Sequence, residues 1–147
     1  PDILNEFLVE GGRPAFRQRL VLAGTLLPLY GIYSGYELAE NVPVKPGSEE
    51  YLDSEKYQLK TRDYDAPGNI NADVQRINRI RRTEPALQQY RNLTFHESEN
   101  PQVLFYRKAA PGRTAEDRVR AARALRRLAP WPAAAAGCSG VLGRGAA

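Results

Sequence analysis

Leu26-Leu27-Pro28-Leu29-Tyr30-Gly31-Ile32-Tyr33 is almost entirely apolar. A strand buried on both faces of a parallel sheet has this composition, and Pro28 is tolerable near a strand start. The stretch therefore predicts a buried parallel strand. Upstream, Pro14 suits the first position of a helix, and residues 14–24 are predicted helical with Phe16, Leu20 and Ala23 facing inward. Gly11-Gly12 breaks the chain before it, and Ile3–Val9 is predicted as a short helical turn. Downstream, residues 36–69 hold three prolines and two glycines among charges and tyrosines, with no periodic pattern. A loop this long within a small domain is expected to be functional.

Asn69 or Asn71 can cap the next helix. Ile70, Val74, Ile77 and Ile80 repeat at spacings of four, three and three, an amphipathic stripe. Arg76, Arg79, Arg81 and Arg82 are expected on the opposite, solvated face, and Glu84-Pro85 ends the helix. Residues 93–97 and 103–107 alternate like antiparallel strands. The order is helix, strand, long loop, helix and hairpin. It fits the last part of a (β/α)8 TIM barrel running into the first hairpin of a C-terminal β domain, an α/β class but an incomplete fold. A complete barrel needs roughly 200 residues or more.

Charge divides the chain. Residues 1–110 hold 14 Lys+Arg and 15 Asp+Glu, whereas residues 111–147 hold 7 Arg and 2 acids, so the net +4 belongs to the tail. The body carries no basic footprint for nucleic acid. Residues 111–147 also contain 11 Ala, 5 Gly and 3 Pro, all residues of G/C-rich codons. They read as a frameshifted or disordered end; the alternative is a basic helix over Ala115–Leu128 with a loose terminus. The expected division is 1–90 for the barrel end, 91–110 for the start of the β domain and 111–147 for the anomalous tail. Cys138 is the single cysteine, which excludes an intramolecular disulfide. No apolar run approaches the ~20 residues of a membrane span. Met is absent and the chain opens on Pro1, with no signal-peptide pattern, so an interior piece of a longer, cytoplasmic protein is expected.

The loop from Glu40 to Tyr57, Glu-Asn-Val-Pro-Val-Lys-Pro-Gly-Ser-Glu-Glu-Tyr-Leu-Asp-Ser-Glu-Lys-Tyr, resembles the loop after the eighth barrel strand of the bacterial maltosyltransferases that use maltose 1-phosphate. These are alpha-amylase-superfamily enzymes that extend α-1,4-glucans. Pro1-Asp2-Ile3-Leu4 resembles the end of an Asn-Thr-Pro-Asp-Ile-Leu segment of that family. Tyr30–Leu38 resembles its eighth strand, and Arg81-Arg82 with Pro85–Gln88 resembles the end of its last barrel helix. The resemblance runs nearly continuously from Pro1 to about Lys108.

The resemblance implies that Asp2 is the transition-state-stabilising carboxylate, whose hydrogen bonds to sugar hydroxyls strengthen as the ring flattens toward an oxocarbenium ion. Taken alone, Asp2 is an ordinary helix cap before Ile3. It likewise implies that Lys56 and Tyr57 bind the phosphate of maltose 1-phosphate, a compact cation and a hydroxyl donor for a dianionic leaving group. Taken alone, Lys56 belongs to the solvated run Asp53-Ser54-Glu55-Lys56. The family reaction is a retaining double displacement that moves maltosyl units to the non-reducing end of an α-1,4-glucan. Its nucleophilic Asp and acid Glu come from earlier strands and have no counterpart here. The sequence holds no Gly-rich phosphate loop and no metal-ligand spacing, so no cofactor, metal, nucleic-acid or membrane partner is expected; the full-length enzyme is expected to be a homodimer that acts on maltose 1-phosphate and an α-1,4-glucan, and the fragment alone to be inactive. The competing readings are another alpha-amylase-superfamily hydrolase or mutase, and a non-enzymatic basic-tailed binding module. His96 is expected to be structural or exposed, and Glu37 lies near the expected site without an assigned role.

Overall fold

The computed structural model describes residues 3–54 and 59–110. Its contacts divide the chain into two units, Pro1–Thr114 and Ala115–Ala147, and the second unit lies outside the described residues, together with the tail helix expected there. The first unit is a small α/β assembly of two helices and a two-stranded antiparallel sheet.

Helix α1 spans Glu6–Leu26. Asn5 caps it, its Oδ1 accepting from the Phe7 N–H at 2.9 Å. The expected break is present as a kink: Gly12 has φ 50° and ψ −147°, a backbone conformation that side chains disfavour, and the helix resumes with Pro14 in its next turn. Asn41 Nδ2 donates to the Val9 carbonyl at 3.0 Å, satisfying an acceptor beside the break. Phe16 and Leu20 are buried as expected, but Ala23 is exposed, and Gly24 and Thr25 take the inward positions. Helix α2 spans Asn71–Thr83. Ile70 occupies the cap position, while Asn69 Oδ1 accepts from the Asn71 N–H at 3.1 Å, so the asparagine still covers the helix start. Ile70 and Ile77 are buried and Val74 and Ile80 are partly so, as the stripe requires.

The two helices meet where α1 has no side chain. A Cβ on Gly24 would stand 2.7 Å from Ile77 Cγ2, so the glycine permits the close crossing. Arg17 clamps the other end through Asp73 at 2.9 Å, and Phe16 packs on Tyr36 with ring centroids 4.9 Å apart.

The buried strand predicted over Leu26–Tyr33 is not formed. The segment is irregular, and Leu27, Leu29 and Ile32 are exposed, Leu29 to 83%. A parallel strand exists only through hydrogen bonds to neighbours. The described residues offer it none, since the only sheet among them is the distant-in-sequence hairpin. Arg81 takes the vacant acceptors instead. Its guanidinium donates to the carbonyls of Gly24, Leu27 (3.0 Å) and Pro28, and lies 4.8 Å from the centre of the Tyr30 ring. Arg81 thus departs from the solvated face expected for it, while Arg76, Arg79 and Arg82 keep to that face.

Strands β1 (Leu93–His96) and β2 (Phe105–Lys108) pair antiparallel, Leu93 opposite Lys108 and His96 opposite Phe105. His96 is exposed against the Phe105 ring at 4.9 Å. The hairpin is tied to the end of α1. Lys108 Nζ donates to Leu26 O at 3.1 Å and Gln89 O at 2.8 Å, and the Tyr106 hydroxyl meets Thr25 Oγ1.

Candidate functional site

The described parts of the long loop are held by turns rather than by regular structure. Gly35 (φ 91°) opens a single 3₁₀ turn over Tyr36–Leu38, and the Glu37 carbonyl accepts from Ile70 N at 2.7 Å, fixing the start of α2. Farther on the chain doubles back. Leu52 N donates to Val42 O and Val44 N to Glu50 O, both at 2.9 Å, with Pro43 opposite Tyr51. The reversal at Lys45–Ser48 places Gly47 at φ 77° and closes through Ser48 N to Lys45 O at 3.0 Å.

Asp2, Lys56 and Tyr57 lie outside the described residues. Their neighbours in sequence converge. Leu4, fully buried, donates its N–H to the Glu49 carbonyl at 2.7 Å, so the segment just after Asp2 lies along the doubled-back loop. Tyr51 in that loop is 6% exposed and packs against Tyr33 with centroids 5.4 Å apart. The Tyr33 hydroxyl lies 3.4 Å from Ser54 Oγ, two positions before Lys56. Three segments far apart in the chain, residues 3–4, 33–36 and 49–54, therefore share one cluster.

Electrostatics at the base of the loop were not foreseen from sequence. Glu40 Oε1 pairs with Arg62 Nε at 3.0 Å and Oε2 with Lys60 Nζ at 3.2 Å. Burial alone would raise the Glu40 pKa, but the bonds and charges of Arg62 and Lys60 outweigh it and hold the carboxyl below its ordinary value. Burial, with Tyr51 nearby, pushes the Tyr36 hydroxyl to about 12, and it donates to the Phe16 carbonyl. Burial also raises Tyr51, reinforced by Tyr33 and Glu40. Glu37 turns one carboxylate oxygen, Oε2, into the interior without a hydrogen-bond partner among the described residues. No group of three or more metal-binding side chains occurs among the described residues, and no helix there is long and apolar enough to cross a membrane.

The pairing of Glu40 with residues twenty and twenty-two positions later leaves no periodic trace in sequence. The only local hint is Gly35, whose missing side chain leaves room for the Glu40 carboxylate.

No family model matches the chain. Curated relatives do. A Streptomyces coelicolor protein, alpha-1,4-glucan:maltose-1-phosphate maltosyltransferase 2, is 56% identical over 112 residues, covering 74% of this chain and 17% of the relative. The maltosyltransferase of Myxococcus xanthus is 57% identical over 111 residues, 76% of this chain and 16% of its own. That of Rhodospirillum rubrum is 56% identical over 108 residues, with 74% and 16% covered. Over that span the chain belongs to the maltosyltransferase family. It spans about one sixth of the length of the maltosyltransferases it matches. Relatives of this one name do not favour a hydrolase, a mutase or a basic binding module.

Proposed function

We propose that the chain is part of a maltosyltransferase that takes maltosyl units from maltose 1-phosphate and adds them to the non-reducing end of an α-1,4-glucan by a retaining double displacement. Residues 1–90 form the end of its (β/α)8 catalytic barrel and 91–110 the start of its β domain, with 111–147 an anomalous Ala/Arg/Gly-rich tail. The observation that carries this reading is the convergence of Leu4, Tyr33 and the Glu49–Ser54 segment. Asp2 and Lys56 each stand two positions from that cluster, as expected where loops after neighbouring barrel strands line one active-site mouth. The exposure of Leu27, Leu29 and Ile32, in a segment with no strand partner among the described residues, fits the same reading, because a barrel strand needs neighbours on both sides.

In this mechanism Asp2 holds the hydroxyls of the reacting sugar and contributes most when the ring flattens. Lys56 and Tyr57 hold the phosphate and stabilise the charge it gains as its bond to the anomeric carbon breaks. The attacking carboxylate and the general acid belong to other strands of the barrel, so the 147 residues alone are inactive. The full-length enzyme is proposed to be cytoplasmic and homodimeric.

Lys56→Ala in the full-length enzyme tests the assignment. A charge-assisted contact to phosphate is worth roughly 1.5–3 kcal/mol, so kcat/KM for maltose 1-phosphate should fall roughly 10- to 150-fold. Maltosyl fluoride, which lacks phosphate, should be far less affected. Equal losses on both donors would make Lys56 structural.

A further inference from the structure

Burial does little to hold the hairpin β1–β2. Phe95, Val103, Leu104 and Phe105 are all more than half exposed. Its ring contacts, Phe95 on Tyr106 and His96 on Phe105, lie within the hairpin itself. An isolated two-stranded hairpin is marginally stable at best in water. Polar contacts at the end of α1 supply what burial does not. Two alternate residues of β2, Tyr106 and Lys108, reach the last turn of that helix. Thr25 is fully buried, and its one hydroxyl proton goes to the Val21 carbonyl at 2.6 Å. The Tyr106 hydroxyl therefore donates to Thr25 Oγ1. Lys108 Nζ donates to Leu26 O at 3.1 Å and to Gln89 O at 2.8 Å. Helix α1 has no basic residue in its own last turn, so this ammonium also meets the negative end of the helix. Burial and the nearby Arg81 charge lower the Lys108 pKa from its ordinary value, so the charged contact is made at a cost. Asn92 Nδ2 closes the root of the hairpin separately, donating to the carbonyls of Ala86 and Ala109 at 2.8 Å each.

We propose that the hairpin is a releasable strap: Tyr106 and Lys108 latch it to the last turn of α1, and it opens there while α1 and α2 stay folded. The helices have a core of their own, with Phe16, Leu20, Ile70 and Ile77 buried, and do not need the hairpin. A unit with few buried apolar contacts opens at lower free energy than the core beside it. The bonds of Asn92 hold the root, so the opening is confined to the strands. The strap involves none of Asp2, Lys56 and Tyr57 and is independent of the roles proposed for them.

The test is amide hydrogen exchange of the 147-residue chain, read by mass spectrometry on peptides from β1–β2 and from α1 and α2. The hairpin amides should exchange faster than those of the helices. Tyr106→Phe and Lys108→Met should each speed hairpin exchange by roughly 10-fold, as loss of one such hydrogen bond does, and leave helix exchange unchanged. Thr25→Val strands the Tyr106 hydroxyl and should speed it at least as much. Thr25→Val combined with Tyr106→Phe removes both partners and should exchange more slowly than Thr25→Val alone. Unchanged hairpin exchange in both Tyr106→Phe and Lys108→Met would overturn the latch. Equal acceleration of hairpin and helices would make them one cooperative unit and overturn the strap. Outright unfolding of Tyr106→Phe or Lys108→Met would do the same, since the helices would then depend on the hairpin.

Discussion

Gly24→Ala should destabilise the helical unit, although alanine is the better helix former. In a helix interior the exchange favours alanine by up to about 1 kcal/mol. Here the new methyl would sit 2.7 Å from Ile77 Cγ2, against the roughly 3.5–4.0 Å of a relaxed carbon contact. Ile77 is fully buried and β-branched, so its methyl cannot swing aside, and α1 and α2 must separate instead. Overpacking of this kind costs about 1–3 kcal/mol. Separation also loosens the bond from Arg81 to the Gly24 carbonyl. The net expectation is a loss of about 1–2 kcal/mol, read from urea unfolding followed by far-UV circular dichroism. Ile77→Ala removes the obstructing methyl, and in that background Gly24→Ala should become neutral or stabilising. Such a reversal is a coupling of about 1–3 kcal/mol, within the range of contacting residues. The same sign and size of effect in both backgrounds would refute the idea that this glycine sets the helix crossing.

Arg81→Ala should lower stability by about 2 kcal/mol in the same assay, because three carbonyls of residues 24–28 lose a charged donor and Tyr30 loses its cation. Arg81→Lys should restore less than half of that, since one ammonium cannot span all three acceptors. The Tyr36 hydroxyl, raised from 10.0 to about 12 chiefly by burial, binds its proton more tightly in the folded state. Its stabilising contribution is complete below pH 10 and is lost as pH rises toward 12. Phenolate absorbance should therefore rise in two phases, the later one shrinking in Tyr36→Phe; a single phase at the ordinary tyrosine value would contradict this.

The helices were legible because their signals are local. Gly12, Pro14 and the Ile70–Ile77 spacing act within a few residues, and each appears in the structure where the sequence puts it. The hairpin was legible for the same reason, with strands offset by one or two residues at their ends. The apolar run of residues 26–33 carries the composition of a buried strand, but composition does not supply the neighbours a strand bonds to, and Arg81 takes the carbonyls of Leu27 and Pro28 instead. The arginine is a case of the opposite kind. At helical spacing it belongs with Arg79 and Arg82, and only the end of α1 lying beside it turns it inward. Asp2, Lys56 and Tyr57 are proposed from the family motif and lie outside the described residues, whereas Glu40, Lys60 and Arg62 are joined only by the path of the chain and left no periodic signal in the sequence.

The most direct measurement is transfer itself. The full-length enzyme containing this segment is incubated with maltose 1-phosphate and a maltohexaose acceptor, and products are followed by mass spectrometry together with released phosphate. The account predicts an acceptor that grows in whole maltosyl steps, with one phosphate released per step. Release of free maltose without growth of the acceptor, or growth by single glucosyl units, would contradict it.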